Sequence, residues 1–257
     1  MLSIKNWLFV NKLSLNIEKS NFVVFRPSQR KIAFPLRLIL NNRNLNQVSY
    51  IKYLAVIIDE CLNWKQQVNH IGSKVKRGIG ILSKLRHFVP TNILVNLYYT
   101  MIYPYLTYGV VAWGNTYDTT VKPIGILQKR AIRIMTFADF RDHSNPLFIR
   151  LYIMKFNDIV RFQTAIFMHE FHHGNLPCIF NSIFHLVNSD HNYSTRLASN
   201  KSNYSLPFAR TNYGKFNIRF FGIKFWNSLN ENLRSFKKAK FKKTLFSQIL
   251  NSYHGSP

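Results

Sequence analysis

Ten carboxylates are all that this 257-residue chain offers for metal-assisted or acid–base chemistry: Glu18, Asp59, Glu60, Asp118, Asp139, Asp142, Asp158, Glu170, Asp190 and Glu231. No two of them form an Asp-Asp or Asp-x-Asp pair. Two-metal displacement at a phosphodiester needs several carboxylates converging on ions about 3.5–4 Å apart, and this scatter does not supply them. Against the ten acids stand 35 Lys and Arg residues, for a formal charge of +25. A charge of that size draws polyanions, nucleic acid foremost. The expectation is a nucleic-acid binder without a phosphoryl-transfer centre of its own.

One segment matches a different chemistry. His169-Glu170-Phe171-His172-His173 fits the His-Glu-x-x-His pattern of zinc hydrolases. On a helix that spacing puts His169 and His173 one turn apart, with Glu170 available as a base. A third ligand is required; Ile179 occupies the position where the extended pattern would carry His, and Asp190 is the nearest downstream acid. The composition predicts no bound metal and no cofactor. Cys61 and Cys178 are too few for a zinc knuckle or a disulfide framework and suit a reducing compartment. A ribonuclease H centre would need a carboxylate cluster, and nucleotide hydrolysis a Gly-rich phosphate loop; neither occurs.

The elements that must carry these residues read as α+β, predominantly α. Residues 3–15 form a short helix. NFVVF (21–25), LRLIL (36–40) and YLAVIID (53–59) are strand-like runs separated by turn formers. After Asp59 the period changes: Val68, Ile71, Val75, Leu82 and Leu85 repeat at helical spacing, and the helix stops before Val89-Pro90. Further helices are expected at 92–103, 119–138, 155–173, 221–233 and 235–250. Residues 88–117 are uncharged and long enough to span a bilayer. Pro90, Pro104 and several Asn interrupt them, so a buried helix pair bent at Pro104 is the better reading. Residues 188–217 read as loop with a strand or two. The N-terminus lacks a cleavage site for a targeting peptide.

Trp7 with NKLSLNIEKSNFVVF (11–25), then YLAVIIDECLNWKQQVNHI (53–71), resembles the segments that follow the catalytic Asp-Asp strand in reverse transcriptases of non-LTR (LINE-type) retrotransposons. The resemblance continues through IGILSKLRHFVP (79–90), LYYTMIYPYLTYGVVAWGNTY (97–117), LQKRAIRIM (127–135), HSNPLF (143–148), LPCIFN (176–181), HNYSTR (191–196) and ARTNYGKFNIRFFGIKFWNSL (209–229). It implies an end of palm with a primer-grip-like hairpin over 1–62, thumb-like helices over 63–142 and a basic, mostly helical region over 143–257. The fingers, the first catalytic Asp of the palm and the Tyr-x-Asp-Asp turn of such an enzyme would lie upstream, so the chain reads as a fragment without polymerase activity alone. Mg²⁺ would belong only to an intact family member. Ala55 stands where the family carries Gly, a substitution expected to impair the turn.

The same resemblance gives Lys19 an accessory role near the incoming nucleotide and gives Tyr53, Leu54 and Val56 the primer grip, though a plain buried strand explains those three equally well. Lys74, Lys76, Arg77, Lys84 and Arg86 would lie on a thumb helix facing duplex phosphates, contacts that give affinity and salt sensitivity but no sequence information. Lys237, Lys238, Lys240, Lys242 and Lys243 crowd into seven residues beside Phe241, Leu245 and Ile249. A final helix that docks its apolar side and offers these lysines to nucleic acid fits the chain best. The expected partners are RNA and DNA in a template-primer duplex, with no membrane, at a nuclear or cytoplasmic address. Two alternatives remain: the zinc hydrolase, and an unstable remnant whose strands expose unpaired edges.

Overall fold

The computed structural model describes residues 2–14, 16–30, 36–40, 43–187 and 203–255, so HNYSTR (191–196) and Asp190 lie outside the described residues. The chain divides into two units, Met1–Gln67 and Val68–Pro257.

In the first unit a helix, α1 (Leu2–Val10), precedes six short strands: β1 (Asn21–Phe22), β2 (Ile39–Leu40), β3 (Arg43–Asn44), β4 (Asn46–Gln47), β5 (Tyr50–Tyr53) and β6 (Val56–Asp59). β1 pairs in parallel with β4, whereas β2–β3 and β5–β6 are antiparallel. NFVVF is therefore a strand only at its first two residues and LRLIL only at its last two. YLAVIID is not one strand either. Leu54 and Ala55, at φ 43° and 64°, form a two-residue turn that pairs Tyr53 with Val56 and Ile51 with Ile58. Two left-handed residues give the primed turn whose twist matches the flanking strands, which is why Asn-Gly is favoured there. Leu-Ala is a poor occupant, because Cβ meets the following carbonyl at a cost of roughly 1–2 kcal/mol per residue. Replacing Leu54-Ala55 by Asn-Gly should raise the stability of the hairpin by about 1–2 kcal/mol, read as slower amide exchange at Ile51 and Ile58; unchanged exchange would refute the strain.

The Asp59 carboxylate organises the loop between β6 and the long helix after it. It is buried and accepts backbone N–H bonds from Cys61 (3.1 Å), Asn63 (3.1 Å) and Trp64 (2.9 Å), holding a tight loop in which Leu62 and Trp64 also take positive φ. The Gln67 side chain accepts from the Ile57 N–H at 2.8 Å, and Arg26 pairs with Glu60 at 2.8 Å. Polar clamps dominate here because, among the described residues, no apolar side chain before Val68 is fully buried.

The second unit has a real core. α2 (Lys65–Leu85) leads into α3 (Thr91–Met101), α4 (Tyr103–Thr107) and α5 (Val110–Trp113). The expected helix pair bent at Pro104 is thus three short helices. The first break falls at Ile102 (φ −114°, ψ −53°), and Pro104 sits in the first turn of α4, where its missing N–H costs nothing. The second break is the left-handed Gly109. No helix among the described residues is long and apolar enough to cross a membrane. α6 (Asp118–Thr136) ends at the left-handed Phe137. α7 (Ser144–Arg150), which the sequence pattern does not announce, precedes α8 (Phe156–His172). After a 3-10 turn at Cys178–Ser182 come α9 (Asn212–Phe216), α10 (Ile218–Ser228), α11 (Glu231–Arg234) and α12 (Lys238–Asn251).

α8 is the hub, packed by α4, α5, α6, α10 and α12. Its Phe156, Ile159, Phe162, Ala165 and Met168 are buried. Gln128 of α6 is buried as well and donates to the Tyr98 hydroxyl (2.8 Å) and the Met154 carbonyl (2.9 Å), tying α3, α6 and the approach to α8 together. Burial holds the Tyr98 hydroxyl neutral, its pKa raised far above the usual phenol value. The helix expected over 221–233 is interrupted because the Asn230 side chain accepts from the Asn232 N–H (2.9 Å), capping a new helix after Leu229.

Candidate nucleic-acid interface

Around α2, at about 100° per residue, Val68, Ile71, Val75, Ile79 and Leu82 fall on one side and are buried. Arg77 and Lys84 lie nearly opposite that stripe, and Lys76 lies at its flank; all three are exposed. Lys74 is half-buried. Arg86 must be reassigned, since its position returns to the core-facing side. Its guanidinium lies 4.3 Å from the Phe137 ring centroid, and its Nε is buried without a hydrogen-bond partner. That geometry is cation–π packing at the end of α6, which holds the guanidinium against Phe137.

A residue not assigned to the interface from sequence takes its place. Arg130 of α6 lies across a groove from Lys76 and Lys84, with Ile79, Gly80 and Ser83 as the α2 wall, in a cavity of about 270 Å³. The side chain of Leu127 in α6 would stand only 3.6 Å from a Cβ at Gly72, so the two helices run close enough to share one cationic rim. The exposed outer face of α6 carried the signal, but only packing shows which α6 cation turns toward α2.

On α12, Phe241 and Leu245 are buried and Ile249 half-buried, so the apolar side docks, as its spacing predicts. The lysines divide. Lys237 and Lys243 are exposed and Lys242 half-buried. Lys238 stands 3.1 Å from Glu170 Oε1, and Lys240 lies over the Phe236 ring at 4.0 Å. Two of the five are therefore committed to neighbours. In the first unit, Tyr53 and Leu54 are 62% and 70% exposed at the hairpin tip, which rules out the buried-strand explanation for them. Val56, the first residue of β6, is half-buried. Lys19 is exposed in a turn whose backbone N–H is held by the Asn16 side chain at 3.2 Å.

Among the described residues, the His-rich segment makes contacts other than those of a zinc site. His169 is buried, with Nε2 2.8 Å from the Phe236 carbonyl oxygen, and His173 Nε2 is 3.2 Å from the Arg234 carbonyl oxygen. A ring nitrogen that donates to a carbonyl carries a proton and has no lone pair for a metal. Glu170, expected to be a free base, faces Lys238. Among the described residues no three His, Cys, Asp or Glu side chains group as metal ligands do. The segment is instead the seat for the α11–α12 connection. Burial lowers the pKa of His169, opposed by its bond to Phe236; burial and then the neighbouring His173 and Arg234 lower that of His172.

Both folded pKa values thus lie below the unfolded value near 6.5. Below that pH the unfolded chain binds more protons, so this stability is present above about pH 6.5 and lost as pH falls through the folded values. The melting temperature should drop from about pH 7 to about pH 5, and a His169→Gln/His172→Gln variant should show a shallower drop. An equal drop in the variant would place the acid sensitivity elsewhere.

Sequence comparison bears on this surface. The chain is 26% identical over 128 residues to a protein of Drosophila melanogaster described as a probable RNA-directed DNA polymerase from transposon X-element. Part of the sequence is thus similar to part of a transposon RNA-directed DNA polymerase. The match takes in 48% of this chain and 14% of that relative, so the chain spans only a small part of its relative's length. No family model and no solved structure matches the chain.

Proposed function

We propose that this chain is a nucleic-acid-binding segment of a non-LTR retrotransposon reverse transcriptase, gripping an RNA/DNA template-primer duplex by its phosphates and carrying no polymerase centre of its own. The observation that supports it best is the groove in which Lys76 and Lys84 of α2 face Arg130 of α6, with Arg77 on the adjoining exposed face. Three cations with no carboxylate among the groove's lining residues make a surface suited to a polyanion rather than to an internal ion pair. The kinship to a transposon RNA-directed DNA polymerase agrees with that reading. So does the hairpin, which presents Tyr53 and Leu54 outward at its tip, as a primer grip requires. The exposed Lys237 and Lys243 add a weaker second patch.

The lack of any Asp-Asp or Asp-x-Asp pair supports placing the metal-dependent step, in this reading, on other residues than these. In this reading the chain positions duplex while Mg²⁺ and the catalytic aspartates act elsewhere, and the protein works wherever its nucleic acid lies, in nucleus or cytoplasm. Fluorescence anisotropy with a labelled RNA/DNA hybrid, titrated at several salt concentrations, tests it. Binding should be sequence-tolerant and steeply salt-dependent. A salt-insensitive isotherm, or discrimination between unrelated sequences of equal length, would sink the reading.

A further inference from the structure

A second basic cavity lies away from the α2 groove, between α6 and the start of α8, and encloses about 450 Å³. Lys122 and Lys129 of α6, with Lys155 and Arg161 at the start of α8, supply its cations. Ile126, 57% exposed, gives it an accessible apolar floor, with Val121, Phe148 and Phe156 buried behind it. Two carboxylates face it, Asp118 and Asp158. Asp158 is already occupied: its Oδ2 accepts the Tyr253 hydroxyl at 2.6 Å and its Oδ1 lies 3.4 Å from Arg161 Nη1. Positive charge is therefore in excess in a site that is partly out of water.

Three further features point the same way. Lys155 is half-buried, with Nζ 4.1 Å from the Tyr253 ring centroid, and the Tyr253 hydroxyl accepts its backbone N–H at 3.0 Å, so the residue is fixed where it stands. Burial disfavours its protonated form, opposed by the charge of Asp158 and aided to a smaller extent by that of Lys129; an anion lodged between the two lysines would offset that penalty. The 17-residue α8 begins here without a side-chain cap, and its first two residues, Phe156 and Asn157, whose N–H groups have no partner within the helix, line the same space. The volume falls in the range that encloses a small organic ligand, and an apolar floor beneath a cationic rim suits a flat ring joined to a phosphate.

We propose that this cavity binds a phosphate-bearing ligand of the size of one nucleotide, with the phosphate on Lys122, Lys129, Lys155 and Arg161 and the ring against Ile126. The source is either a free mononucleotide or the phosphorylated end of a strand, and the chemistry of recognition is common to both.

Titration calorimetry on the full chain separates these outcomes. The probes are inorganic phosphate, adenosine 5′-monophosphate, and a DNA tetramer with and without a 5′-phosphate. The monophosphate should bind at least tenfold more tightly than inorganic phosphate, and Lys129→Gln/Lys155→Gln should weaken it at least tenfold. Should that variant fail to fold, the exposed pair Lys122→Gln/Lys129→Gln serves in its place. Lys76→Gln/Lys84→Gln should leave monophosphate binding unchanged, so a failure of the duplex-binding reading and a failure here are distinguishable. A gain from the tetramer's 5′-phosphate would assign the site to strand ends, and no gain to free nucleotides. Absence of monophosphate binding, equal binding of inorganic phosphate, or equal weakening by both double variants would overturn the proposal.

Discussion

Changing Lys76, Arg77, Lys84 and Arg130 together to Gln should lower affinity for an RNA/DNA duplex by roughly three orders of magnitude near 0.1 M salt. Each phosphate contact contributes about −0.9 to the slope of log affinity against log salt. Losing four contacts should therefore flatten that slope by about 3 to 4 units, and near 0.1 M salt each lost contact removes close to one decade of affinity. The loss should be the same for unrelated sequences, because phosphate contacts carry no base information. Arg86→Gln is the informative control. Its guanidinium is spent on Phe137, so it should change thermal stability and leave the salt slope where it was. Lys237→Gln/Lys243→Gln should give a smaller, additive loss, since these two lysines are exposed on a separate helix. If the fourfold variant kept the parent slope while Arg86→Gln reduced it, the groove would be the wrong surface and the sequence-level set the right one.

That contrast shows what the sequence discloses and what it hides. The apolar stripes of α2, α6, α8 and α12 are legible because a core-facing helix repeats its buried residues every three to four positions. The exposed flanks of those helices come by subtraction. What subtraction cannot do is pair one helix's flank with another's, so the pattern does not set Arg130 opposite Lys76 and Lys84. Nor does it detect a charged residue that returns to the core side at a helix end, as Arg86 does. Strands are less legible still. In YLAVIID the β-branched run masks a turn, because Leu54 and Ala55 are poor turn formers that adopt left-handed angles in spite of their side chains. The resemblance alone carries a warning, since it places Gly where Ala55 stands. The His-Glu-x-x-His match fails for a similar reason: spacing puts His169 and His173 on one face, but their Nε2 atoms are taken by carbonyls from a segment more than sixty residues later.

That later segment holds the site of the largest expected stability loss. Arg234→Ala should destabilise the second unit by about 4 kcal/mol, a magnitude reached only where buried groups are left unsatisfied. Arg234 is 2% exposed. Its Nε and Nη2 donate to the Leu229 carbonyl at 3.0 and 2.7 Å, Nη2 also donates to the Asn227 carbonyl at 2.9 Å, and Nη1 donates to Asn203 Oδ1 at 2.8 Å. The guanidinium lies 5.6 Å from the ring centroid of the fully buried Trp226. The Asn227 and Leu229 oxygens are orphan carbonyls at the C-terminus of α10, which a helix cannot satisfy within itself. The Arg side chain thus closes α10 and turns the chain into α11 at the point where Asn230 starts the new helix. Burial lowers the Arg234 pKa, with Glu231 opposing, yet the group remains a cation near neutral pH. Lys cannot present the planar fork that meets three acceptors at once, so Arg234→Lys should recover less than half of the loss. Denaturant unfolding monitored by Trp226 fluorescence measures both variants. A loss below about 1 kcal/mol for Arg234→Ala, the range of an exposed surface change, would mean that the turn between α10 and α11 is held by its Asn cap alone.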